Sequence, residues 1–211
     1  MARKDPPAIP EWQWLPWSPG QPAEDAARQW LAPRLGCDAA RVVLARDLHG
    51  RPRLAAGHGA DTSWSHSGDG LLLAFGRGIA LGVDMERERP RLRALELAQR
   101  YFAPSEAAWL EGEHGDAART AAFLRLWCAK EALLKAHGRG LAFGLHKLAF
   151  AERAGALVLV AADPALGAVA DWQLQEFVAH PGYRAALAWK ATTTGGAQDG
   201  APGCAPTMGD G

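Results

Sequence analysis

The chain has 211 residues, 48% of them hydrophobic, and its 23 basic side chains balance 23 acidic ones. This length suffices for one large domain or two small lobes with a buried core. Because the net charge is zero, the composition excludes a general electrostatic attraction to nucleic acid or to anionic membranes. Any anion would have to bind at a local cluster of basic groups.

The chain carries no pattern typical of export or membrane insertion. Its longest apolar runs fall well short of the roughly 20 residues that a membrane span requires, and no apolar segment follows the basic residues near the start. The cysteines Cys37, Cys128 and Cys204 stand at spacings that no zinc site uses, and reduced thiols are expected. We predict a cytoplasmic protein that binds neither membranes nor nucleic acid.

The N-terminal half predicts one helix and several short strands. Residues 1–21 hold three tryptophans among several prolines, and we expect this arm to lie extended across the body because indoles are seldom left in water. Pro22 can open a helix that Gly36 ends. Residues 71–75 and 79–85 are apolar runs joined by a Gly-Arg-Gly turn, which predicts a hairpin.

The C-terminal half predicts helices followed by antiparallel strands. Residues 92–102 have helical periodicity, Pro104 restarts a helix, and 117–136 form the longest helical stretch. Strands are predicted at 147–150, 157–161, 171–179 and 183–190. The fold class is therefore α+β. We divide the chain into an extended arm (1–21), an N-terminal lobe (22–88), a C-terminal lobe (89–190) and a disordered tail (191–211).

Two acidic residues stand near the end of a predicted strand, at Asp84 and Glu86. Residues two apart on a strand share a face, so the two carboxylates project the same way. Adjacent carboxylates repel each other unless a cation lies between them, and oxygen ligands favour a hard ion such as Mg²⁺. A solvated strand end is the alternative interpretation.

The long predicted helix carries Glu131 and Lys135 four residues apart, hence on one face. An ordinary surface ion pair explains this spacing, but the surrounding sequence is apolar nearly all round, and charges on a buried helix need partners or a function. The segment S-H-S at 65–67 could form a phosphate cradle from hydroxyl and N–H donors. No G-x-S-x-G motif surrounds it, so no serine nucleophile is expected.

Four motifs occur in order along the chain: G-R-P at 50–52, S-H-S at 65–67, G-V-D-M-E at 82–86 and W-C-A-K-E-A-L-L-K at 127–135. In this order the chain resembles, over about residues 22–190, the 4′-phosphopantetheinyl transferases of the monomeric, surfactin-synthetase-activating type. The segment R-Y-F-A-P-S-E at 100–106 also resembles a link that this family has between its last two motifs.

The resemblance implies two pseudo-symmetric α/β lobes with antiparallel sheets and a coenzyme A site in the cleft between them. The implied reaction transfers the 4′-phosphopantetheine arm of coenzyme A to a serine of an apo acyl or peptidyl carrier protein and releases 3′,5′-ADP. It implies Mg²⁺, or Mn²⁺ in its place, as the metal. A Mg²⁺-dependent hydrolase and a non-catalytic coenzyme A-binding module are the alternatives.

The resemblance also implies roles for individual residues. Asp84, Glu86 and Glu131 would hold the metal, and Glu106 would be the general base for the incoming serine. Lys135 would act in catalysis by pairing with the pyrophosphate. The coenzyme A contacts would be Arg28, Arg51, Pro52, Ser65, His66, Lys130 and Lys135. The arginines at 87, 89, 91 and 93 either form a basic rim for an acidic carrier or are simply solvated.

Overall fold

The computed structural model describes residues 9–55 and 59–192, and it confirms the α+β class. The helices are α1 (Ala23–Leu35), α2 (Ala94–Tyr101), α3 (Pro104–Gly112) and α4 (Asp116–His137). The strands are β1 (Glu11–Pro16), β2 (Leu44–Arg46), β3 (Pro52–Leu54), β4 (Ala60–Ser67), β5 (Gly70–Arg77), β6 (Ile79–Arg87), β7 (Leu148–Arg153), β8 (Ala156–Ala162), β9 (Gln173–His180) and β10 (Tyr183–Ala191). The four helices lie close to their predicted positions. Left-handed glycines, Gly36 and Gly138, follow α1 and α4 as the sequence predicts.

The same order of elements occurs twice along the chain. Strand β1 is followed by α1, by the β2–β3 hairpin and by the β4–β5 hairpin, and it pairs with β5. Strand β6 is followed by α2 to α4, by the β7–β8 hairpin and by the β9–β10 hairpin, and it pairs with β10. Two antiparallel sheets result, with the matching strand orders β1-β5-β4 and β6-β10-β9.

The predicted hairpin between residues 71–75 and 79–85 is wrong. Both edges of β5 are taken by β1 and β4, so the chain turns at Gly78, where φ is +66°, and enters the second sheet as β6. Hydrogen bonding thus assigns β6 to the second sheet. Within the predicted extended arm, Glu11–Pro16 forms edge strand β1 of the first sheet. The predicted lobe boundary between residues 88 and 89 stays a prediction. Beyond Thr192, the predicted tail lies outside the described residues.

Three apolar clusters hold these layers together. One lies between the facing sheets around Leu81, Val83 and Leu187. A second joins α1 to the first sheet, and the largest surrounds α4. None of the described helices is long and apolar enough to cross a bilayer. Cys128 is a buried free thiol.

Candidate active site

Helix α4 packs directly on strand β6 at Gly82. A Cβ at this position would lie 2.0 Å from the backbone oxygen of Ala132 and 2.4 Å from the backbone nitrogen of Ala136. Real Cβ atoms never come so close to backbone, so only glycine allows this approach. The close packing places the last turns of α4, including Lys135, beside the carboxyl end of β6.

Asp84 is the centre of a compact charged cluster. Its side chain is buried, and Oδ1 accepts hydrogen bonds from Lys135 Nζ and from Ser65 Oγ, each at 2.7 Å. Lys135 Nζ also donates to the backbone oxygen of Val83 at 3.1 Å. Burial by itself lowers the pKa of the Lys135 ammonium group, but the negative charges of Asp84 and Glu131 have the larger combined effect, so the pKa is raised. The other oxygen of Asp84, Oδ2, is buried and has no partner among the described residues.

Glu131 lies one turn before Lys135 on α4 and is half-buried. Burial raises the pKa of its carboxyl to about 7, helped by the negative charges of Asp84 and Glu86, although Lys135 acts in the opposite direction. Glu86 accepts hydrogen bonds on Oε2 from Ser67 Oγ at 3.0 Å and from Arg91 Nη2 at 2.9 Å.

Across residues 9–55 and 59–192, no three His, Cys, Asp or Glu side chains form a ready-made metal cage. Mg²⁺ does not require one, because it is usually held by one or two carboxylates together with waters and substrate phosphates. Two observations fit such an ion here. Asp84 Oδ2 is a buried oxygen that lacks a partner among the described residues, and the pKa of Glu131 is raised mainly by burial and further by the charges of Asp84 and Glu86. A cation among these three carboxylates would satisfy the oxygen and stabilise the ionised form of Glu131.

A pocket of about 210 Å³ adjoins this cluster. Arg51, Pro52 and Trp64 line one side of it, and Lys135 and Gly138 line the other. Lys135 therefore faces both the pocket and Asp84, which is the arrangement that an anionic ligand next to a metal would need.

Arg51 contributes to the wall of this pocket, but its guanidinium is buried and donates inward. Nη2 donates to Asp61 Oδ2 at 2.6 Å and to the backbone oxygen of Leu81, and Nη1 donates to the backbone oxygen of Ala136 at 3.4 Å. Arg51 therefore links β4, β6 and α4. Its Nε atom is buried without a partner in the described part of the chain.

The other predicted coenzyme A contacts are dispersed. Ser65 points toward Asp84 rather than into the pocket. His66, on the opposite face of β4, is exposed and stacks on Trp17 with 4.6 Å between ring centroids. Arg28 pairs with Glu24 and Asp25 on its own helix and does not line the pocket. Of the predicted contacts, Arg51, Pro52 and Lys135 are those that the structure brings together.

The sequence also matches a known family model. The model is described as the 4′-phosphopantetheinyl transferase superfamily, and it matches residues 80–188, about half of the chain. The chain belongs to this superfamily. Asp84, Glu86, Glu131 and Lys135 all lie within the matched residues, whereas Arg51 and Ser65 precede them.

Individual superfamily members resemble the chain at 31–36% identity. A 4′-phosphopantetheinyl transferase of Bacillus subtilis is 31% identical over 118 residues, which are 56% of this chain and 51% of the relative. AcpT of Salmonella typhi is 36% identical over 110 residues, 47% of this chain and 57% of the relative. HetI of Nostoc sp. is 33% identical over 165 residues, 76% of this chain and 66% of the relative. The chain thus spans about half to two thirds of the length of these curated relatives.

Glu106 and Lys130, predicted as general base and coenzyme A contact, lie elsewhere in this superfamily member. They form an ion pair of 2.7 Å in which both side chains are fully buried. Lys130 Nζ also donates to the backbone oxygens of Leu145 and Leu148. Glu106 accepts hydrogen bonds from the backbone N–H groups of Ala103 and Phe150. With every polar atom satisfied by protein and neither side chain exposed, the two residues have the contacts of a structural ion pair, and their roles as general base and coenzyme A contact stay predictions.

The sequence motifs included Ser65, His66 and Ser67 of strand β4 but missed Asp61 and Ser63 and the contact of this strand with β6. The polar residues of β4, Asp61, Ser63, Ser65 and Ser67, alternate with period two, and all four bond to residues on β6. The alternation could have been recognised as a strand with one polar face. That this face would meet β6 could not, because β4 and β6 belong to different sheets.

Proposed function

We propose that this protein transfers the 4′-phosphopantetheine arm of coenzyme A to a serine of an apo acyl or peptidyl carrier protein, releases 3′,5′-ADP and requires Mg²⁺. Membership of the superfamily supports the reaction class. The single observation that carries the proposal for this chain is the cluster at Asp84. A buried carboxylate with one unpartnered oxygen stands beside Lys135, and Lys135 also lines an adjacent pocket.

The proposal gives each residue of the cluster a distinct task. Asp84, Glu86 and Glu131 would hold Mg²⁺, which when bound offsets the negative charge of the pyrophosphate under attack. Lys135 would donate to a pyrophosphate oxygen, because its raised pKa keeps it protonated at neutral pH. Pro52 and Trp64 would enclose the rest of the ligand, together with Arg51.

A groove on the other side of Glu86 suits the carrier protein. It has a volume of about 430 Å³ and an apolar lining that includes Ala121 and Leu124. Three arginines, Arg89, Arg91 and Arg184, line it together with two acidic residues, Glu88 and Asp116. Since Arg91 also contacts Glu86, a carrier held here would have its serine near the proposed metal site. The excess of arginines over carboxylates in this lining favours an acidic partner and would mainly speed its association.

The test is an incubation of the full chain with coenzyme A, Mg²⁺ and an apo carrier protein, followed by intact-mass measurement of the carrier. We expect a gain of one phosphopantetheine group per carrier. Asp84→Ala should lose several kcal/mol of transition-state stabilisation, which corresponds to a rate loss on the order of 10²–10³-fold. Glu96→Ala is the matched control, because Glu96 is an exposed carboxylate that pairs with Arg93 on the surface.

Three outcomes contradict the proposal. Cleavage of coenzyme A at the same rate without a carrier would indicate a hydrolase. Binding of coenzyme A with neither transfer nor cleavage would indicate a binding module. Full transfer by Asp84→Ala at ordinary Mg²⁺ concentrations would show that the metal site lies elsewhere.

A further inference from the structure

Strands β4 and β6 run side by side without backbone pairing, because they are edge strands of different sheets. Side chains of β4 replace the missing pairing. Asp61, Ser63 and Ser67 each accept a hydrogen bond from a backbone N–H group of β6. The three donors are Leu81, Val83 and Arg87, at 2.9, 3.1 and 3.1 Å. We call Asp61, Ser63, Ser65 and Ser67 the polar ladder.

Ser65 and Ser67 are the members of the polar ladder that bond to carboxylates on β6, whereas Asp61 also accepts a hydrogen bond from Arg51 Nη2. Ser65 Oγ donates to Asp84 Oδ1 at 2.7 Å. Ser67 Oγ accepts from the backbone of β6 and also donates to Glu86 Oε2 at 3.0 Å. Ser63 differs from both, because its only recorded bond within the described part of the chain is to a backbone N–H group. The polar ladder therefore joins the two sheets along its whole length, but only Ser65 and Ser67 bond to Asp84 and Glu86.

The bonds to the carboxylates are arranged in the same way at both positions. One oxygen of each carboxylate accepts from a ladder serine and from a basic side chain: Lys135 at Asp84, and Arg91 at Glu86. For Asp84 this leaves the buried Oδ2 as the oxygen without a partner among the described residues. Rotation of a carboxylate about its last bond is soft, so hydrogen bonds decide which oxygen faces a given direction.

We propose that Ser65 and Ser67 are positioning residues that fix the orientation of Asp84 and Glu86 and so present their remaining oxygens to a divalent cation. This inference rests on the proposed metal-dependent function. Hydrogen-bond partners of metal-ligating carboxylates typically change metal affinity 10–100-fold when they are removed. A structural role in joining two sheets would affect Ser63 as much as Ser65, whereas a positioning role would not.

The test measures Mn²⁺ binding to the full chain by electron paramagnetic resonance of the free ion, without coenzyme A. Ser65→Ala and Ser67→Ala should weaken Mn²⁺ binding roughly 10–100-fold. Ser63→Ala should leave the affinity within about twofold, while its melting temperature falls by a few degrees, on the order expected for one lost buried hydrogen bond. Ser65→Thr keeps the hydroxyl and should restore most of the affinity.

Equal Mn²⁺ affinity in Ser65→Ala and wild type would overturn the inference, and so would an equal loss in Ser63→Ala. If Ser65→Ala does not fold, Ser67→Ala decides, since that side chain is only half-buried. The transfer assay with the wild-type chain distinguishes a failure of the positioning role from a failure of the proposed function. Transfer with Mg²⁺ but unchanged Mn²⁺ affinity in the serine variants refutes the positioning role alone. A wild-type chain that neither transfers nor binds Mn²⁺ refutes the proposed function as well.

Discussion

The buried ion pair between Lys130 and Glu106 gives the sharpest test of the structure against the sequence-based expectation. Lys130→Met keeps the length of the side chain beside Phe102 and Phe150 but removes the ammonium group. Glu106 would then be a buried carboxylate without its counter-charge. If instead Lys130 contacted coenzyme A, as its motif suggested, the change would weaken ligand binding and leave the fold intact.

The structure sets the size of the expected effect. Both side chains are fully buried, and Lys130 Nζ makes three bonds within 2.8 Å. Removing one partner of such a pair typically costs about 3–5 kcal/mol, because the other charge stays in a low-dielectric interior. Domains of this size are stable by about 5–15 kcal/mol, so a large part of the stability should be lost. Glu106→Gln should also destabilise, and the double variant should lose less than the sum of the two single variants.

Urea unfolding followed by circular dichroism measures these free energies. The double-mutant cycle should give a coupling of about 1–3 kcal/mol between Lys130 and Glu106. Below the unfolding transition, the affinity of Lys130→Met for coenzyme A should match that of the wild type. An unfolding free energy within about 0.5 kcal/mol of the wild type, together with weaker coenzyme A binding, would refute the buried pair and restore the predicted contact.

The remaining predictions concern packing, charge and partner binding. Gly82→Ala should lower the free energy of unfolding in urea by about 1–3 kcal/mol or more, because the new methyl group overlaps the α4 backbone. Gly112→Ala is the control: the space around Gly112 is open, so the free energy of unfolding should change by less than about 0.5 kcal/mol. In metal-free buffer, the free energy of unfolding should fall as pH rises from 4.5 to about 7, because the pKa of Glu131 is higher in the folded chain than in the unfolded one. Glu131→Gln should remove this decline. Arg91→Glu/Arg93→Glu should slow association with an acidic carrier, and added salt should mimic the change; an unchanged Michaelis constant for the carrier would assign both arginines to the solvated surface.

The local character of most elements could be predicted from the sequence. Pro22 and Gly36 bound the first helix, and the apolar run with its glycine stop gives α4 almost to the residue. Period two places Asp84 and Glu86 on one face of a strand, and the four-residue spacing places Glu131 and Lys135 on one face of a helix. These features follow from short-range sterics and from periodicity, which depend on neighbouring residues in the sequence and not on the elements that pack together in the fold.

Which elements meet was decided only by the tertiary structure. Two apolar runs joined by a short turn predicted a hairpin, yet β5 and β6 join different sheets because β1 and β4 occupy both edges of β5. The partner of β6 on its other side is a row of side chains on β4 rather than a backbone ladder. Periodicity indicates which face of a strand is polar but not which strand will lie against it.

The same distinction separates neighbouring lysines of one motif. Lys130 and Lys135 belong to a single run of sequence, but their separation by five positions along the helix turns the two side chains to different sides of α4. Lys135 reaches Asp84 and the pocket, while Lys130 turns into the core and meets Glu106, 24 residues earlier in the chain. The sequence determined that charges stand on an apolar helix. Long-range packing decided which of them is buried with a partner, because burial depends on everything that the helix packs against.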